Sequence, residues 1–117
     1  MTRTEFLLAR IAEDEETARA ADGTRWLHED KVVSFEAFGP DGDWVDASSP
    51  LSVNTRDNGW HIVNWSPARV LAECEAKRRI VDNPPADWDA HVQWEETVDI
   101  LAAVYADHPD YRQEWRP

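Results

Sequence analysis

The chain has 117 residues, 42% of them hydrophobic, enough to close one core, so a single domain over residues 1–117 is expected. A formal charge of −12 argues against direct contact with a nucleic-acid backbone, whose binders carry the cations that neutralise phosphates. Seven tryptophans argue against an acidic disordered chain, and no stretch approaches the roughly 20 apolar residues of a membrane span.

From residue 4 to about 21, Leu7, Ile11 and Ala18 recur at three-to-four-residue spacing while Glu13, Glu16 and Arg19 face away, which predicts an amphipathic helix. Asp22 and Gly23 are expected to stop it. Residues 24–65 show no helical period, and the runs 25–28, 31–38, 51–55 and 60–65 are rich in β-branched and aromatic side chains, so they read as strands. Residues 39–43 and 48–50 have turn composition. Asp57, Asn58 and Gly59 read as a three-residue hairpin loop, because that register puts Leu51, Val53, Val63 and Trp65 on one face, with His61 near its edge.

Ser66 and Pro67 form a strong helix start, and the second helix is expected to run to about residue 81 with Val70, Leu71, Cys74 and Val81 buried. Glu73 with Lys77 and Glu75 with Arg79 are i,i+4 pairs on its outer faces. Asn83, Pro84 and Pro85 end it. A third helix over roughly residues 86–105 is expected to bury Trp94, Val98, Leu101, Ala102 and Tyr105, and its apolar end, residues 100–105, to be covered on more than one side. The predicted class is therefore α+β: a small antiparallel sheet of about four strands flanked by an N-terminal helix and two C-terminal helices, with helices on one sheet face.

The stretches PARVLAECEAKRRI (residues 67–80) and YADHPDYRQEWRP (residues 105–117) resemble a family of small actinobacterial and actinophage proteins classed as a domain of unknown function. Glu5, Phe6 and Leu7 with their acidic, alanine-rich continuation are similar to that family's start. Members often carry Asp where Ser66 stands, which serves the same capping role. The resemblance covers about half the chain and implies no activity.

His108, Pro109 and Asp110 form the tripeptide of J domains, which dock on Hsp70 through a basic helix. Here residues 84–111 hold seven carboxylates and no Lys or Arg, and only seven residues follow Asp110, so both polarity and architecture depart from that pattern. The tail reads first as a structural clasp, in which Asp107 and Pro109 break the helix and Tyr111 and Trp115 lay their rings on the core. The competing reading makes His108, Asp110, Tyr111 and Trp115 a recognition surface, since Trp, Tyr and Arg anchor binding hot spots.

Asp87, His91 and Glu95 repeat at i,i+4 and offer zinc- or iron-ligand chemistry on one helix face, although a solvated acidic face explains them as well. Cys74 lies on an apolar stripe, where a thiol is ordinarily inert, and its being the only cysteine fits a reducing cytoplasm. The chain carries no nucleophile elbow, phosphate loop or nucleotide fingerprint. Arg69, Lys77, Arg78 and Arg79 form the one basic cluster, complementing the helix C-terminus or docking on a second copy to give a homodimer.

These readings favour a small cytoplasmic, non-catalytic protein-interaction module without a cofactor, with an unknown and possibly basic protein partner, and with no nucleic-acid or membrane contact. The alternatives are an acidic mimic of DNA that inhibits a nucleic-acid-binding protein and a metal-dependent enzyme using the acidic helix.

Overall fold

The computed structural model describes residues 1–21, 24–46 and 50–117. Among them lie four helices, α1 (Arg3–Ala20), α2 (Arg56–Asn64), α3 (Pro67–Val81) and α4 (Trp88–Ala103), and four strands, β1 (Thr24–Glu29), β2 (Val32–Phe38), β3 (Trp44–Asp46) and β4 (Leu51–Ser52). All strand pairings are antiparallel, so the α+β class holds. The expected stop at Asp22 and Gly23, and the Ser48 and Ser49 part of the turn, lie outside the described residues. No helix among the described residues is long and apolar enough to cross a membrane.

The chain divides into two compact units, residues 17–71 and residues 1–16 with 72–117, and α1 and α3 each contribute to both. In the unit of residues 17–71, β2 is the middle of the sheet. It pairs with β1 along one side and with β3 and β4 along the other. Asp30 takes a left-handed backbone, φ 52°, in the two-residue β1–β2 turn, a conformation Asp tolerates because its short side chain bonds locally. Gly42, φ 83°, sits in the loop from Gly39 to Asp43 that closes with a 2.7 Å bond from Gly39 N–H to the Asp43 carbonyl.

Strand alternation puts Trp26 and His28 on the same face as Val33 and Phe35, and α2 covers that face. Val33 is fully buried and Trp26 meets Phe35 edge to face at 5.5 Å. The opposite face carries Arg25, bonded to Glu36 at 2.5 Å and stacked over Trp44 at 4.7 Å, with Phe38 edge-on to Trp44.

Three of the sequence expectations are corrected here. Residues 60–65, expected as a strand, belong to α2 through Asn64, and the expected hairpin at Asp57, Asn58 and Gly59 is the start of that helix. Thr55 caps it by accepting from the Asn58 N–H at 3.1 Å. Gly59 is used for close approach instead of a turn, because a β-carbon there would fall on the His28 ring. The third expected strand, residues 51–55, shrinks to Leu51–Ser52, and β3 supplies the strand that composition did not reveal.

In the other unit, the inner face of α1 is lined by Phe6, Leu7 and Ile11, all fully buried, and by two charged side chains, Arg10 and Glu15, that are more than nine-tenths buried. Burying charge is expensive unless it is paired; Arg10 pairs with Glu13 within α1 at 3.0 Å, and further partners come from later in the chain. Glu15 accepts two bonds from Arg78 at 2.7 and 3.0 Å, and Arg10 donates to His108. Two further ties lie alongside: Arg3 to Asp99 at 2.6 Å, and the Tyr105 hydroxyl donating to Asp14 at 2.6 Å.

The C-terminus of α3 finds partners for its last carbonyls. Asp82 N–H bonds Arg78, the Asn83 side-chain amide bonds Arg79 at 2.6 Å, and the Trp94 indole N–H bonds Ile80 at 2.7 Å. Pro84 and Pro85 then prevent continuation.

Candidate interaction surface

The tail folds as a clasp. After α4 it turns through His108 and closes in a 3₁₀ turn, Gln113–Trp115, that lays Tyr111 and Trp115 on Phe6. Ring centroids lie 5.2 to 5.8 Å apart among Phe6, Tyr111 and Trp115, and His108 stands edge-on to Phe6 at 5.6 Å. Tyr111 and Trp115 are each 8% exposed, so neither ring is offered to a partner. The 3₁₀ turn has no side-chain cap, so neither His108 nor Asp110 caps it.

The Arg10 guanidinium donates to His108 Nε2. On the other side of the ring the Asp110 N–H lies 3.1 Å from Nδ1. The tripeptide thus sits with its imidazole turned inward onto α1, with Asp110 exposed beside it.

The basic cluster is likewise engaged. Arg78 is bound by Glu15, whose hydrogen bonds hold the guanidinium above its already high range. Arg79 pairs with Glu75 at 2.9 Å, Lys77 lies over the Tyr105 ring at 5.7 Å, and Arg69 stacks on Trp65 at 4.9 Å.

Asp87, His91 and Glu95 are individually employed. Asp87 caps α4 by accepting from the Ala90 N–H at 3.0 Å. His91 reaches Glu95 through Nε2 at 3.3 Å and the Pro85 carbonyl through Nδ1 at 3.2 Å. Among the described residues no group of three or more His, Cys, Asp or Glu side chains is arranged to hold a metal ion. Cys74 is buried, and burial, followed by the nearby Asp14 carboxylate, pushes its thiol up, away from the reactive thiolate. An open groove of about 330 Å³ beside α2 is lined by Ser52, Val53, Asn54, Asn58, His61 and Ile62, and its only titratable group is His61.

What α4 presents to solvent was not expected. Val98 and Ala102 are buried as their spacing predicts, whereas Trp94, Leu101 and Tyr105, expected to be buried, are half-buried. The apolar end is not covered all round, however: Ile100 is 60% exposed and Val104 70%. With Trp88 at 77% and Val92 at 38%, they form a ridge at four-residue intervals, Trp88, Val92, Glu96, Ile100, Val104, broken only by the exposed Glu96. Isolated surface hydrophobes need no explanation, whereas four large ones spaced along one i,i+4 row do. Asp89 and Glu95 are exposed nearby. The sequence signal was available as this i,i+4 series, but it is hidden by the second apolar face on the same helix.

This is an α+β protein whose buried charges and aromatic tail are consumed by its own fold, and whose exposed apolar side chains lie on α4 and, in the other unit, on β2, β3 and α2 (Phe38, Trp44, Val45, Trp60). The chain belongs to a family of unknown function, DUF6221, whose model matches residues 1–117. The match takes in the strand region and the start of α4, beyond the motifs that carried the resemblance. No curated protein and no solved structure matches the chain.

Proposed function

We propose that the protein is a non-catalytic protein-interaction module that docks through the outer ridge of α4. The observation that carries this reading is the exposure of Trp88, Val92 and Ile100 along α4 and of Val104 at its C-cap. Large apolar side chains so arranged are the anchors by which helices pack in grooves. The tail and the basic cluster are weaker candidates, since their side chains are occupied within the fold. A cytoplasmic setting fits the buried, free Cys74.

The test is a photo-reactive amino acid placed at Ile100 or Val104 in the cells that encode the protein, with the exposed Ala76 of α3 as control position. A discrete protein adduct from the two α4 positions and none from position 76 is the expected result. The same adducts from all three positions, or none from α4, would refute it.

A second reading, an acidic mimic of nucleic acid, draws on the exposed carboxylates Asp87, Asp89, Glu95 and Glu96 and on the lack of Lys and Arg in residues 84–111. The two readings separate on one substitution. Ile100→Asp adds charge and leaves a mimic active, while it breaks docking on an apolar ridge.

A further inference from the structure

We infer that the occupant of the α4 ridge is a cationic amphipathic helix of a partner protein, with apolar side chains on either side of a Lys or Arg that meets Glu96. This deepens the docking reading above and rests on it.

The ridge itself selects a helix. Residues 88 to 104 climb about 24 Å at the helical rise, and each four-residue step winds about 40° around the axis. A row of that pitch is the i±4 ridge that seats between the i±4 rows of a second helix crossing at about −50°. Four such steps carry Trp88 and Val104 about 160° apart around the axis, so a partner helix centred on the row meets Val92, Glu96 and Ile100.

The charge pattern then selects the partner's sign. Glu96 interrupts the apolar row at its centre, Asp89 and Glu95 stand exposed near it, and residues 84–111 contain seven carboxylates with no Lys or Arg. A partner that buries the row without a cation would leave Glu96 desolvated and unpaired, which costs more than the apolar contacts return. An anionic helix is repelled for the same reason. So is a second copy of this chain, because two α4 ridges crossing at their centres bring Glu96 against its own counterpart on a background of −12 per chain. Among the described residues Glu96 makes no ion pair, and Arg78, Arg79, Lys77 and Arg69 are held within the fold.

The probes are three synthetic helical peptides titrated into isotopically labelled full-length protein and followed by amide NMR. One carries an apolar i,i+4 row around a central Lys with Lys flanks, one has the same row with Glu for every Lys, and one keeps the lysines with Ser for every apolar residue. The first is expected to bind, with shifts centred on residues 88–104, and to weaken about tenfold or more with Ile100→Asp or Val104→Asp. Both positions are exposed, so unchanged circular dichroism will certify the fold of either variant.

Equal binding of the Glu peptide overturns the sign of the partner. Equal binding of the Ser peptide shows charge alone at work and overturns the ridge, favouring the mimic. Shifts away from α4, insensitivity to both Asp variants, or self-association abolished by those variants also overturn the inference. If the peptides fail while photo-crosslinks from Ile100 persist, the partner chemistry is wrong and the docking reading stands. If both fail, both fall.

Discussion

Trp115 and Trp88 are the same residue type at opposite extremes of burial, 8% and 77% exposed, and replacing each by Ala should separate them sharply. A buried indole removes about 200 Å² from water, and at about 25 cal/mol per Å² that gives an upper bound near 5 kcal/mol. Trp115 also loses its ring contacts with Phe6 at 5.2 Å and Tyr111 at 5.7 Å. Large-to-small aromatic substitutions measure about 3–5 kcal/mol in cores, and because the tail can partly collapse onto the gap, the low end, about 3 kcal/mol, is expected for Trp115→Ala. Trp88→Ala should stay within about 0.5 kcal/mol of the parent. Urea unfolding followed by far-UV circular dichroism reads the difference without depending on tryptophan emission. With a slope of about 1.5 kcal/mol/M, the Trp115→Ala midpoint should fall roughly 2 M below that of Trp88→Ala. Midpoints within about 0.3 M of each other would mean that the tail does not clasp Phe6.

The Tyr111 hydroxyl is buried with no hydrogen-bond partner among the described residues, so Tyr111→Phe should be neutral or stabilising by about 1 kcal/mol, and a loss of that size in the same urea assay would show that the hydroxyl has a partner. Tyr105 is pushed well up by burial and then by its bond to Asp14, and Cys74 is pushed up by burial. Both folded-state values lie above the unfolded ones, so their contribution is complete below about pH 8 and is lost as pH rises through the thiol and then the phenol range. Stability measured from pH 8 to 11 should decline, and the decline should flatten in the Cys74→Ala, Tyr105→Phe double variant; an unflattened curve would assign it elsewhere. Asp87→Ala should cost about 1 kcal/mol through loss of the α4 cap, with Asp87→Asn nearly silent, and equal losses in both would point to a role for the charge instead of the cap.

Helix periodicity was legible where one face is apolar and punctuation is strong. Ser66 with Pro67, and Asn83 with two prolines, bracket α3 closely, and Tyr111 with Trp115 announce the clasp. Residues 60–65 misled because Trp, Ile and Val carry strand propensity, while the decisive facts are tertiary: a glycine needed against His28 and a cap at Thr55. The cap and the Gly59, Ile62, Val63 spacing were the available signals. The burial of Arg10 and Glu15 was not legible, since no local pattern reveals that Arg78 and His108 will meet them. The α4 ridge was hidden by composition, because a helix end apolar on every side reads as buried whether or not anything covers it.

The charged residues of α1 are answered by partners 63 to 98 positions downstream: Glu15 by Arg78, Asp14 by Tyr105, Arg3 by Asp99 and Arg10 by His108. At about 5–20 residues per second, a ribosome presents the first turns of α1 roughly 5 to 20 seconds before their last hydrogen-bond partner exists. During that interval Phe6, Leu7 and Ile11 have nothing to pack on, and Arg10 and Glu15 keep the emerging helix hydrated. The same ionic groups that are costly inside the finished fold thus act as its solubiliser during synthesis, and the long sequence separation of their partners slows the closure of this unit.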